Sequence, residues 1–251
     1  MRIIAVINQK GGVAKTTTTA NVAHALARAG HRVTAIDLDP QGHLATYLGF
    51  TDRRLPGIDR LLLDGLPLNE VAFEARPGLQ LVPAGPRLDA MEQLVEGRLA
   101  KSKLLRRAVA DSFADQDFVL LDCPPSSGLL VIFSLYATRE VIMPVNGDYL
   151  SLHGLSHFLA TLMRVEASLG SKIRRHIALT RLHPRRRLAR DVTARLLRYF
   201  PGQVLATPVR EVAALAECPS FGKTIFEYSP KSHGAEDYAA LAEDLVSGRT
   251  L

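Results

Sequence analysis

The stretch Arg2-Ile3-Ile4-Ala5-Val6-Ile7, running into Asn8-Gln9-Lys10-Gly11-Gly12-Val13-Ala14-Lys15-Thr16-Thr17, decides the fold. Its first six residues form an apolar, β-branched run of the kind found in a strand buried on both faces, and the run ends in a glycine-containing loop. From Thr16 to Ala29 the chain is alanine-rich, with apolar Val22, Leu26 and Ala29. This predicts a helix, stopped by Gly30 where a helix C-terminus favours a left-handed residue. Val33 to Leu38 reads as a second strand and completes a βαβ unit. Further out, Phe118 to Leu121, Glu140 to Val145 and Arg175 to Leu179 read as strands, with helical patterns between most of them. Strands alternating with helices predict an α/β fold, a mostly parallel twisted sheet with helices on both faces. No repeat, low-complexity tract or linker interrupts it, so residues 1–251 read as a single domain.

Of the 251 residues, 47% are hydrophobic and 22% charged, enough apolar material for a substantial core and too much for a disordered or fibrous chain. The longest apolar stretches, such as Leu129 to Phe133, fall far short of the roughly 18 residues a bilayer span requires, and the N-terminus lacks a signal-peptide layout. A cytoplasmic protein is expected. Cys123 and Cys218 are the only cysteines, which excludes a disulfide framework or a four-cysteine metal site within one chain and suggests plain reduced thiols.

Net charge is +6, unevenly spread. Between Lys172 and Arg198 ten basic residues face one acid, Asp191, a local +9 that leaves −3 for the rest of the chain. Such a concentration suggests a polyanion-binding face, with a solvated helix surface as the alternative.

Lys10 to Thr17 lies between the first strand and the first helix, where backbone amides and a helix N-terminus can surround a phosphate. There Lys15 supplies a point charge to the β- and γ-phosphates and the Thr16 hydroxyl ligates Mg2+. Gly11 and Gly12 let the backbone approach the ligand, and Val13, Ala14 and Thr17 complete the cradle. Two further signals end strands: Asp37-Leu38-Asp39-Pro40-Gln41 after the second, and Asp122 after Phe118-Val119-Leu120-Leu121. In an open parallel sheet these ends border the ligand crevice. Asp122 is placed to hold Mg2+ through water, and Asp39 to orient the attacking water.

These motifs, with Asp122-Cys123-Pro124-Pro125-Ser126, Pro219-Ser220-Phe221-Gly222 and the run from Tyr228 to Ala235, resemble in order the ParA branch of the deviant Walker ATPases. The resemblance implies the P-loop NTPase form of this fold and an ATP-sandwich homodimer in which the signature lysine, Lys10, reaches the partner's nucleotide. It implies a hydrolytic role for Asp39, a magnesium site from Thr16, Asp39 and Asp122, and cofactors ATP and Mg2+. It also implies non-specific binding of double-stranded DNA on the nucleoid and a ParB-like or other adaptor that stimulates hydrolysis. A chromosome, plasmid or protein organelle would be the positioned cargo. One position departs from the family's pattern: Ala14 stands where most members carry Gly, and alanine suits that place only if its φ is negative or its strain mild.

By ungapped alignment Arg185 matches a DNA-contacting arginine of chromosomal ParA proteins, while a second such position falls on Ala214. Arg186, Arg187, Arg190 and Arg210 are expected to compensate, with Arg185 to Arg187 opening a helix after Pro184. Without Trp and with 6% aromatics, base stacking on single strands has little support. The chain begins at the P-loop strand, so an upstream helix-turn-helix is not expected. A MinD-like membrane ATPase would need a C-terminal amphipathic helix, but Ala239 to Leu251 mixes Glu243 and Asp244 with few basic residues. A nitrogenase-iron-protein-like reductase lacks its bridging cysteines here. An amide synthetase would leave the arginines unexplained, and a scaffold without turnover would leave Lys10 and Asp39 unexplained.

Overall fold

In a computed structural model, which describes residues 1–93 and 98–251, the chain alternates strands and helices. The order is β1 (Arg2–Val6), α1 (Lys15–Arg28), β2 (Val33–Asp37), α2 (His43–Tyr47), β3 (Phe73–Arg76), β4 (Leu79–Val82), α3 (Arg98–Ser112) and β5 (Phe118–Asp122). There follow α4 (Leu129–Ala137), β6 (Glu140–Asn146), α5 (Tyr149–Leu169), β7 (Arg174–Thr180), α6 (Arg187–Tyr199), α7 (Ala213–Glu217), α8 (Ile225–Tyr228) and α9 (His233–Ser247). Among the described residues one sheet runs β3-β4-β2-β5-β1-β6-β7, parallel except for β3.

Alternation within each strand builds two cores. Ala5, Ile7, Ile36 and Leu38 face one side of the sheet, and Ile4, Val6, Val33 and Ala35 the other, each set buried under helices. The chain leaves β1 for β2 and β5 for β6, in opposite directions, so the connections part above the carboxyl ends of β1 and β5. A ligand crevice opens at such a switch point.

The β3–β4 pair is not among the strands expected from the sequence, although Pro77-Gly78 between two short strands is a turn signal. Gly78 occupies the left-handed region (φ +75°) that this turn requires. The basic helix also begins later than the sequence suggests. Pro184 does not open it; Arg186 is extended (φ −76°, ψ 127°) and α6 starts at Arg187, so Arg185 and Arg186 lie in the preceding turn.

α9 packs on α1, burying Ala235, Tyr238, Leu241, Ala242 and Leu245. Its apolar face is therefore covered by protein. No helix among the described residues is long and apolar enough to cross a membrane.

Candidate functional site

The loop after β1 is braced from several sides. Asn8 is buried; its side-chain amide donates to the Pro144 carbonyl (2.7 Å) and its oxygen accepts the Lys10 N–H (3.0 Å). The Thr180 hydroxyl at the end of β7 donates to the Val13 carbonyl (3.0 Å), and Arg181 Nη1 to the Gly12 carbonyl (3.1 Å). Gly12 takes a left-handed conformation (φ +73°), and a Cβ at Gly11 or Gly12 would meet no atom within 4 Å, so the loop faces open space. Ala14 is left-handed as well (φ 68°, ψ 37°). Of the two conditions under which alanine suits this place, a negative φ is not met, and the left-handed backbone costs roughly 1–2 kcal/mol for a residue with a Cβ.

α1 starts at Lys15 with no side-chain cap and no acid in its first turn. Its first N–H groups and the positive end of its dipole are thus directed at the loop, as an anion requires. Lys15 is 8% exposed and its Nζ donates to the Lys10 carbonyl (3.0 Å). Burial lowers its pKa, against the opposing pull of Asp122, Cys123 and Asp39. Lys10 Nζ lies 2.7 and 2.6 Å from the two carboxylate oxygens of Asp148, one of which also accepts from Asn146 Nδ2 (2.9 Å).

Asp37 and Asp122 are register partners on adjacent strands, both fully buried. Asp37 Oδ1 accepts the Asp39 N–H and Oδ2 the Leu44 N–H, each at 3.0 Å, so this carboxylate joins the Asp39 turn to the start of α2. Asp39 in turn accepts the Gln41 N–H (3.0 Å). Thr19 donates to Asp122 Oδ1 (3.0 Å), while Asp122 Oδ2 is buried with no hydrogen-bond partner among the described residues. Burial raises the pKa of Asp122, opposed by the Thr16 and Thr19 hydroxyls, and Asp39 raises it further. Burial also raises that of Asp37, with Asp122 as the next cause. Two acids beside one lysine, Asp39 and Asp122, the latter with an orphaned oxygen, make a pocket short of positive charge. Beside them, burial pushes the Cys123 thiol up to about 12, leaving it inert.

Two clefts flank the loop. One of about 300 Å³ is lined by Ala14, Thr17, Val209, Val212 and Leu215. The other, about 320 Å³, lies between Asp148, Arg181, His183 and Arg186. Arg181 joins them: it is left-handed (φ 49°), lines both clefts, and pairs with Glu211 (2.7 Å), which also holds His183 (2.5 Å). Neither Arg181 nor Glu211 belongs to a motif of the sequence; the signal for Arg181 is its place directly after β7.

The arginine segment leaves the carboxyl end of β7. Arg185, Arg186, Arg187 and Arg190 are exposed. Arg210 comes close to them, since its backbone bridges Leu182, but its guanidinium is committed to Asp237 (2.6 Å) and Glu236 (3.3 Å).

An AAA domain model matches residues 1–175. The chromosome partitioning protein ParA of Myxococcus xanthus is 38% identical over 99% of this chain and 89% of its own. The chromosome-partitioning ATPase Soj of Thermus thermophilus is 42% identical over 98% of this chain and 96% of its own. The chain belongs to the ParA family of partitioning ATPases. A Mycobacterium smegmatis structure named cobyrinic acid a,c-diamide synthase, with bound ADP and magnesium, superposes with a TM-score of 0.85 at 33% identity, covering 100% of this chain and 98% of that one. A putative plasmid partition protein of Borrelia burgdorferi bound to AMPPNP shares the fold with a TM-score of 0.83 at 18% identity, covering 98% of each chain.

As a ParA-family protein this chain is an ATPase that works with ATP and Mg2+. Its own residues fit them. Asp122 Oδ2 is an acceptor awaiting a donor, as the water shell of Mg2+ would supply. Among the described residues no group of three His, Cys, Asp or Glu side chains is spaced to hold a metal alone. Mg2+ held by phosphate oxygens, waters and one or two side chains needs none.

Proposed function

We propose that the chain couples ATP binding to dimerisation and to non-specific binding of duplex DNA, and hydrolyses ATP under the control of a ParB-like or other adaptor, so as to position a cargo on the nucleoid. The observation that carries this reading is the exposed arginine turn at Arg185–Arg187. It leaves the same sheet edge as the phosphate loop, and the next residue after β7, Arg181, bonds to that loop at Gly12.

The amides of Gly11 to Thr17 and the Lys15 ammonium bind the phosphates. Thr16, Asp39 and Asp122 would hold Mg2+, which when bound would draw charge off the phosphate oxygens. Asp39, held in place by Asp37, orients the water that attacks the γ-phosphorus. The cleft beside Ala14, apolar at Val209, Val212 and Leu215, suits the nucleobase. Lys10 must exchange Asp148 for phosphate before it can act on a partner's nucleotide. Burial of the α9 apolar face supports DNA over a membrane as the platform.

ATP turnover with and without random-sequence duplex and adaptor tests the reading. Stimulation by the two together is expected. The name of the M. smegmatis neighbour favours a second reading, an amide-forming synthetase. Turnover that ignores DNA and instead requires a corrinoid carboxylate and a nitrogen donor would establish that one and overturn the first.

A further inference from the structure

The arginine turn accounts for only part of the basic surface. α6 turns by about 100° per residue, so Arg198, eleven residues after Arg187, returns to within about 20° of it, roughly 16 Å down the same face. Arg190 and Arg195 flank this line, with Asp191 the one acid on it, while Ala189, Val192 and Leu196 are buried beneath. The helix ends at Tyr199. Three residues on, Gly202 and Gln203 form the wall of an open groove of about 600 Å³ at the foot of the sheet.

Lys172, Arg174 and Arg175 form another wall. The acid there, Glu166, is buried and satisfied by Arg175 (3.0 Å), Lys172 (3.4 Å) and the Ile173 N–H (2.9 Å). His176 is occupied with Glu140 (2.9 Å), which also binds Arg2. Arg174 is exposed and lines the groove beside them. Two cations to one acid, plus Arg174, give the groove a surplus of positive charge.

We propose that the face of α6 and this groove form one continuous track for the sugar-phosphate backbone of duplex DNA, running from the nucleotide edge of the sheet to its opposite edge. The proposal rests on the DNA reading above and extends it to Arg198 and Arg174, which lie far from the nucleotide. A 16 Å ridge matches about five base pairs at 3.4 Å each. Contacts to phosphate alone make such a track indifferent to sequence.

The test is fluorescence anisotropy of a random 24-base-pair duplex with the full chain and a non-hydrolysable ATP analogue, across a salt series. R174E/R198E should weaken binding at least tenfold at 0.1 M salt and reduce the log–log salt slope by about two, at about 0.9 for each phosphate no longer neutralised. Basal ATP turnover should not change, and R174K/R198K should retain the wild-type slope. If R174E/R198E keeps the full slope while R185E/R186E/R187E loses binding, the track is wrong and the DNA reading stands. If neither variant changes binding, both the track and the Arg185–Arg187 face are wrong; no binding by the wild-type chain with the ATP analogue would overturn the DNA reading itself. If R174E/R198E binds DNA normally but loses stimulation by the adaptor, the groove serves an acidic protein segment and the track is again overturned.

Discussion

The phosphate loop, after β1, and the arginine segment, after β7, both leave the carboxyl edge of the sheet and are built on opposite principles. Around the loop, Asn8, Thr180, Arg181 and Asp37 hold backbone atoms in place, and the charged groups that matter are buried. On α6 the charges stand in solvent, and Arg187 comes no nearer to Asp191 than a loose 3.9 Å. A site for a defined chemical step needs preorganised geometry, whereas a site for any stretch of duplex needs charge at roughly the right density. Single substitutions should therefore be severe in the first region and graded in the second.

The largest effect is expected for Lys15→Ala. Removing the buried ammonium leaves Asp39 and Asp122 with no cation between them and the phosphates, and calorimetry should show ATP affinity reduced by at least about 100-fold. Asp39→Ala should divide the two functions of the loop. Turnover should fall by about 100-fold or more, the usual scale for removing a group that handles the attacking water, while ATP affinity stays within about twofold. Comparable losses in both would make Asp39 a binding residue.

On the arginine side, Arg185→Ala alone should lower the salt slope of DNA binding by about one, and basal turnover should be unaffected. An all-or-none loss from this one change would mean that the surface is as geometrically exacting as the loop, and the contrast would collapse.

These two regions are also unequally legible in the sequence. The loop, Asp39 and Asp122 can be placed because strand, glycine turn and helix follow one another within a few residues. The arginine segment is recognisable by charge, but its geometry is not. Pro184 suggests a helix start, yet Arg186 is extended and α6 begins one residue later, where the buried side of the helix, starting at Ala189, sets the register. Arg210 looks equivalent to its neighbours in sequence; its partners, Asp237 and Glu236, lie more than twenty residues away and only the fold brings them in. Asp37 belongs to a motif that does not reveal its role, because whether its carboxylate points to the Asp39 turn and the start of α2 is set only by the fold. The β3–β4 edge escapes notice because each strand has only four residues.

The smallest effect concerns Ala14, the one strained alanine of the loop. Ala14→Gly removes a left-handed residue with a Cβ but gives the unfolded chain more freedom, so a net gain of about 0.5–1 kcal/mol is expected. For a chain of this size that is a rise in Tm of about 1–4 °C by scanning calorimetry. A lower Tm would show that the Cβ is packed in a way its φ does not reveal.

The central claim is that nucleotide bound at the phosphate loop controls DNA binding at the exposed arginines. Anisotropy of one labelled random duplex tests it directly, comparing ADP with a non-hydrolysable ATP analogue for the wild type and for Arg185→Glu/Arg186→Glu/Arg187→Glu. The account predicts tight binding by the wild type with the ATP analogue only and none by the triple variant with either nucleotide. Equal affinity in both nucleotide states, or full affinity in the triple variant, would contradict it.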